Sequence, residues 1–386
     1  MTWPRALIIG GQGRIGNQIA RDIVRHTTAQ VVVTQRRKLA SGRGNATGLP
    51  AARVTAQSLD LADRGRLQQA IAQADLVIHC AGPFHHRDGR VLEACIDQGV
   101  NYLDVSDHVP FTQRALTFRD VAQASDITAI INTGVFPGLS NSMVRQCVEA
   151  FGPVEDEPSE ISLSYVVGGS GGAGVTVLRT TFLGLLDPFE AWIDGQWQQQ
   201  QPYRDRQIVT FPPPFGTAGV YWYNVPETVT LAQSFPVQTV TTKFGSTPDL
   251  YNRLTSLVAR RCPKRLLGHP AVVEILSQVS YRMTQISDGW SGTGIGIQAE
   301  VMGRSGGCYR STLIHDDAAI AAGLGTGGIA ALMLSGTLRQ PGVHPVERSL
   351  PTPLFEAMLR QRGLALTHGW TDLSPASFGA SKPAVA

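Results

Sequence analysis

Residues 6–16 read Ala-Leu-Ile-Ile-Gly-Gly-Gln-Gly-Arg-Ile-Gly, an apolar strand running into a turn with the G-x-G-x-x-G spacing at Gly11, Gly13 and Gly16. The chemistry such a turn serves is holding a dinucleotide. Gly11 permits the tight turn, Gly13 lets the backbone approach a pyrophosphate, and Gly16 lets the following helix pack close to the strand. Gln12, Arg14 and Ile15 complete the turn and are counted with its glycines as cofactor contacts. Ile15, Ile19 and Ile23, joined by Ala20 and Val24, recur at helical spacing. A helix therefore starts at the turn, with its N-terminal amides and the positive end of its dipole facing the anion.

The next segment bears on which dinucleotide. Val31 to Thr34 form a second strand that ends in Gln35-Arg36-Arg37-Lys38. An NAD site usually carries Asp or Glu here to accept from the ribose hydroxyls. Arg36 and Arg37 stand there instead, and guanidinium makes bidentate bonds to phosphate. The expected cofactor is NADP(H), recognised through its ribose 2′-phosphate, rather than NAD.

The elements needed to position these residues follow in order. Strands are expected at Arg53–Leu61, Asp75–Cys80, Asn101–Asp104 and Thr128–Asn132, separated by helices near Asp63–Ile71, Arg90–Gln98 and Val109–Ala124. Six strands with continuous apolar cores, alternating with helices, predict an α/β chain with a Rossmann doubly wound parallel sheet over residues 1–138. Residues 139–317 change character, with proline-rich loops and strand-like pieces at Ile161–Val167, Val229–Ala232 and Ile295–Met302. They predict an α+β second domain on a mostly antiparallel sheet, for substrate binding or dimerisation. The proline run in 209–216 fits only a loop or a sheet edge. Helices at about 318–370 are expected to return to the first domain, and 374–386 reads as a disordered tail.

Composition sets bounds. The 386 residues carry 33 basic and 30 acidic side chains, a net +3 far too mild to imply nucleic acid, so none is expected as a partner. Five cysteines without a C-x-x-C pair argue against a disulfide framework and a zinc site, and for a reducing compartment. No metal is assigned. The strand beginning by residue 6 leaves no room for a signal peptide, so a cytoplasmic location is expected. Ala318 to Leu338 lack charge over a membrane-spanning length but are mostly Ala and Gly, which suits a helix buried against a sheet better than a bilayer.

The motifs taken together resemble the saccharopine dehydrogenase-like oxidoreductases. This family includes saccharopine reductase, carboxynorspermidine and homospermidine synthases and trans-acting enoyl reductases. The residues that carry the resemblance are Gly11 to Gly16, the strand and loop Asp75 to Phe84, Val91 to Asp104, and Gly134-Val-Phe-Pro-Gly-Leu-Ser-Asn141. Gly168 to Gly174, Pro226-Glu-Thr228 and Pro341 to Glu347 also look like the family. The likeness covers nearly the whole chain and is loosest in its centre.

The resemblance implies that the loop Ala81-Gly82-Pro83-Phe84 lies along the cofactor's ribose and nicotinamide, where Gly82 allows close approach and Pro83 stiffens the backbone. It places Asp60 where it could accept from the adenine amino group, the alternative being a helix-capping turn. Asp104, Asp107 and His108 fall just beyond the fifth strand, beside the site of hydride transfer, as candidate proton donors. Their alternatives are a strand end for Asp104 and a helix cap for Asp107. His85 and His86 are second-line candidates. Arg179 is a candidate clamp for a carboxylate or phosphate. The glycines at 168–174 could admit a substrate or a second subunit, so a homodimer is possible. The expected activity is NADP(H)-dependent hydride transfer to or from an imine, carbonyl or activated C=C of a small organic substrate. A non-catalytic NADP(H) sensor on the same fold is the alternative.

Overall fold

In the computed structural model the described residues are 3–36, 48–152, 156–169, 171, 175–291 and 293–371. Arg37, Ser170, Gly172, Ala173 and Gly174, and the tail at 374–386 lie outside them. The described residues divide into two compact units. The first lies within Met1–Ser142, Gly172–Thr180 and Asp317–Leu364, and the second within Met143–Gly171, Thr181–Asp316 and Ala365–Ala386.

The first unit is built on strands β1 (Arg5–Ile9), β2 (Gln30–Gln35), β3 (Val54–Ser58), β4 (Leu76–His79), β5 (Asn101–Asp104) and β6 (Thr128–Ile131). All pair in parallel in the order β6-β5-β4-β1-β2-β3, the doubly wound arrangement expected from alternating apolar strands and helices. A seventh strand, Gly342–Pro345, adds in parallel beside β6 from more than two hundred residues downstream. Its four residues carry no alternating pattern, which is why the sequence shows only six strands. One core face gathers Leu7, Ile9, Val32, Val77, Tyr102 and Ile131, covered by Leu67, Ile71, Val91, Leu92 and Cys95 from the intervening helices.

Helix α1 (Arg14–His26) follows the glycine turn. The small-residue helix Ala318–Leu334 packs mainly against α1 and also touches β4 of the sheet. A Cβ on Gly323 would lie 2.3 Å from the Gln18 side chain, and one on Gly327 2.5 Å from the Asp22 carboxylate. Its glycines thus let two helix backbones approach. Among the described residues no helix is long and apolar enough to cross a membrane. Asp22 of α1 also meets Arg362 of the helix Thr352–Arg362 in a buried ion pair at 2.9 Å.

The second unit holds a seven-stranded mixed sheet, in the order Gln207–Thr210, Thr217–Trp222, Thr239–Thr247, Pro158–Gly168, Gly294–Gly303, Cys308–His315, Leu366–Thr371. Every neighbouring pair is antiparallel except Thr239–Thr247 with Pro158–Gly168. The proline run sits next to the edge strand Gln207–Thr210, where its missing donors cost nothing. Two local readings are corrected. Residues 229–232 belong to the helix Pro226–Ser234, because Pro226 at its first turn starts a helix and outweighs the β-branched run. The single helix expected over 109–124 is two, Val109–Leu116 and Arg119–Ala124, broken at Thr117 and Phe118.

Candidate active site

The carboxyl ends of β1, β4 and β5 stop side by side, with Ile9, His79 and Asp104 in register. The order reverses between β1 and β4, and an open parallel sheet binds ligands in the crevice at that point. The glycine turn, the Ala81–Phe84 loop and the Asp104–His108 segment all leave the sheet at this edge.

The tight turn is made by Gly10, not Gly11. Gly10 has φ +81°, and a Cβ there would lie 2.9 Å from the Ala81 backbone. Gly11 is needed for another reason, since its Cβ would meet Val33 at 2.8 Å. A Cβ on Gly16 would come within 2.6 Å of the Gly10 carbonyl, so this residue holds α1 against the turn. Gly13 is bounded only by the Gly10 carbonyl at 3.2 Å and is otherwise open, which fits a pyrophosphate above it. No side chain caps α1, whose N-cap is Gly13, and the buried Gln12 Nε2 has no partner among the described residues. Both leave donors for an anion. Arg14 turns away to Asp317 at 3.0 Å, so only its backbone amide serves the turn.

The loop after β4 is organised by two residues that sequence reasoning passed over. His79 is fully buried, its ring edge-on to Phe84 at 5.1 Å and near Phe111 at 6.2 Å. Its Nδ1 accepts the Ala81 N–H at 3.4 Å. Burial, aided by the Arg87 charge, lowers the imidazole to about 3, so it stays neutral. Arg87 donates to the carbonyls of Ala81 at 2.6 Å and Gly82 at 3.4 Å. Its guanidinium is pulled below its usual range by burial and by the charges of Arg36 and Arg90, with Asp88 and Asp60 opposing. A group of guanidiniums therefore lies beyond β2 and β4, not Arg36 alone. Asp60 is exposed, and its Oδ1 accepts the Ala62 N–H at 3.0 Å in a turn, while Asp63 caps the next helix.

Beyond β5 the three acid–base candidates part company. Asp104 is fully buried, and its Oδ1 accepts the backbone N–H groups of Ser106 and Asn132, both at 3.0 Å. Burial pushes its carboxyl up to about 6 against those donors and the Tyr102 hydroxyl. Asn132, at φ 59°, completes the tie by donating from Nδ2 to the Ser106 carbonyl at 2.9 Å and the Thr112 hydroxyl at 2.8 Å. Asparagine tolerates this left-handed conformation. Asp107 and His108 are partly exposed on the loop so held. Burial of its carboxyl raises Asp107 to about 6. Burial and the neighbouring His85 and His86 lower His108 to about 4. The His85 and His108 rings lie 4.1 Å apart, centre to centre. Among the described residues no three His, Cys, Asp or Glu side chains converge to hold a metal.

Comparison with known proteins agrees with this geometry. Residues 6–130 match the family model described as the saccharopine dehydrogenase NADP binding domain. A probable mitochondrial saccharopine dehydrogenase-like oxidoreductase from Arabidopsis thaliana is 34% identical over 65 residues, which is 17% of this chain and 14% of that relative. The chain thus spans about a seventh of that relative's length. Apo saccharopine dehydrogenase (L-Glu forming) from Saccharomyces cerevisiae superimposes with a TM-score of 0.69 over 95% of this chain and 100% of its own, at 12% identity, a likeness of fold. Residues 6–130 are therefore an NADP-binding domain of the saccharopine dehydrogenase type.

Proposed function

We propose that the protein is an NADP(H)-dependent oxidoreductase that moves a hydride to or from an imine, carbonyl or activated C=C of a small organic substrate, with residues 139–317 supplying the substrate part. The observation that carries this reading is the pairing, at one sheet edge, of an open glycine turn with an acid–base group beyond β5. When bound, NADPH supplies the hydride. Gly13 and the first amides of α1 hold the pyrophosphate, Arg36 and Arg87 attract the 2′-phosphate, and the Ala81–Phe84 loop orients the far half of the cofactor. Asp107 holds the proton for reduction: with its carboxyl near 6, about a tenth is protonated at pH 7 and available to donate. In the reverse direction the Asp107 carboxylate accepts that proton, and His108 beside it stays neutral at that pH. Asp104 positions the loop through Ser106 and Asn132 and touches no substrate.

Fluorescence titration with NADPH and NADH, followed by a screen of small metabolites for NADPH oxidation, tests the proposal. Preferential NADPH binding with substrate-dependent oxidation is the expected result. Binding without turnover on any imine, carbonyl or enoyl substrate would favour a sensor, and absence of binding would remove both readings.

A further inference from the structure

The helices Asp249–Arg261 and Pro270–Ser291 of the second unit are turned inside out. In the first, Asn252 and Ser256 are buried while Leu250, Leu254 and Leu257 face solvent. In the second, Ser277 and Thr284 are buried beside Val273 while Ile275, Val279 and Ile286 face solvent. Leu266 lies between them, and these seven aliphatic side chains are 41 to 76% exposed. Single exposed leucines need no explanation, but these recur at helical spacing and form stripes.

The inversion is locked from inside. Asn252 Oδ1 accepts the Ser246 N–H at 2.8 Å and the Tyr203 hydroxyl at 3.1 Å, and its Nδ2 donates to the Gly219 carbonyl at 3.0 Å. Rolling the helix to hide its leucines would orphan all of these groups. The Tyr251 hydroxyl donates to the Met283 carbonyl at 3.0 Å and ties the two helices together.

Charge selects the occupant. From Leu250 to Val273 there are five cations, Arg253, Arg260, Arg261, Lys264 and Arg265, and no acid. Arg253 pairs with Asp249 and Lys264 with Asp187, whereas Arg260, Arg261 and Arg265 are exposed and in no ion pair among the described residues. We propose that this face binds the surface of an anionic phospholipid bilayer, with the aliphatic stripes in the interface and the guanidiniums on lipid phosphates. Since no helix among the described residues is both long and apolar enough to span, the contact is peripheral. A two-fold pairing with a second copy would bring the same cations face to face, which like-charge repulsion opposes. The inference does not rest on the hydride-transfer reading.

The test is co-sedimentation of the full chain with phosphatidylcholine vesicles, with and without about 30% phosphatidylserine, near physiological salt. The protein should partition onto the anionic vesicles and about a hundredfold less onto neutral ones. Reversing three charges together, Arg260→Glu, Arg261→Glu and Arg265→Glu, should weaken anionic binding by about a hundredfold or more. Leu250→Asn, Leu254→Asn and Leu257→Asn combined should abolish it. Because all six residues are exposed, both variants should keep the parent's melting temperature and NADPH titration. The proposal is overturned if the parent ignores anionic vesicles, or if both variants bind as the parent does. It is equally overturned if the leucine variant instead converts a dimer to a monomer with no vesicle binding in either.

Discussion

The Arg87 guanidinium donates to the Ala81 carbonyl at 2.6 Å, fastening the loop after β4 with a charge that Arg36 and Arg90 also feel. One side chain thus shapes the loop expected along the nicotinamide half and adds to the field expected to hold the 2′-phosphate. Arg36→Glu should lower NADPH affinity by about ten- to a hundredfold, the value of a charge-assisted phosphate contact, with NADH nearly unchanged. Arg87→Met should weaken both cofactors, NADPH more, since it loosens the loop as well as removing charge. Fluorescence titration of each variant with both cofactors checks this. An unchanged NADPH/NADH ratio in the Arg36 variant would move the selectivity elsewhere.

Gly13→Val should abolish dinucleotide binding while leaving the melting temperature close to that of the parent. The nearest atom to its Cβ is the Gly10 carbonyl at 3.2 Å, so a shift of a few tenths of an ångström admits the side chain and the main loss is the ligand space. Gly16→Val should instead destabilise the first unit, because its Cβ meets the turn at 2.6 Å. Wild-type NADPH affinity in a folded Gly13 variant would reassign the turn.

Asp104→Asn should keep most of the stability, since an amide oxygen still accepts from Ser106 and Asn132. Asp104→Ala leaves two buried N–H groups without an acceptor and should cost about 1–3 kcal/mol for each. Denaturant unfolding measures both. Loss of turnover with full stability in the Asn variant would restore Asp104 as the proton donor.

In the proposed reaction reduction needs Asp107 protonated, and burial raises its carboxyl to about 6. The reductive rate should be level below that pH and fall about tenfold per unit above it, whereas oxidation should rise through the same pH. Asp107→Asn should remove this limb and lower turnover by about 10²–10⁴-fold, with NADPH affinity preserved. A limb that survives the substitution points to another acid.

Asp22 and Arg362, 340 residues apart, are both almost fully buried. Arg362→Met leaves the buried Asp22 carboxylate with His26, at 3.1 Å, as its remaining ion partner and should cost up to about 3–5 kcal/mol in denaturant unfolding. Asp22→Asn combined with Arg362→Met should recover part of that loss, because the stranded charge is gone. Additive losses would show that the pair does not couple.

The sequence by itself determined what short-range patterns encode. Alternating apolar strands and 3.6-residue helices specified the parallel sheet. Glycine spacing marked the dinucleotide turn, and the absence of an acid after β2 marked NADP. Each depends on backbone geometry within a few residues, so each is legible locally. Tertiary structure decided whatever needs residues far apart to meet. It made Gly10 the strained turn because Ala81 crowds it, and brought Gly342–Pro345 alongside β6. It set the Ala318–Leu334 glycines against α1 and recruited Arg87 and His79 to the loop after β4. Asp104 shows the limit most plainly: its position in sequence suggests an acid beside the cofactor, and only the packed chain shows Ser106 and Asn132 donating to its Oδ1 while its buried Oδ2 has no hydrogen-bond partner among the described residues. Burial and partners are properties of the packed chain, and no residue carries them in its neighbourhood of sequence.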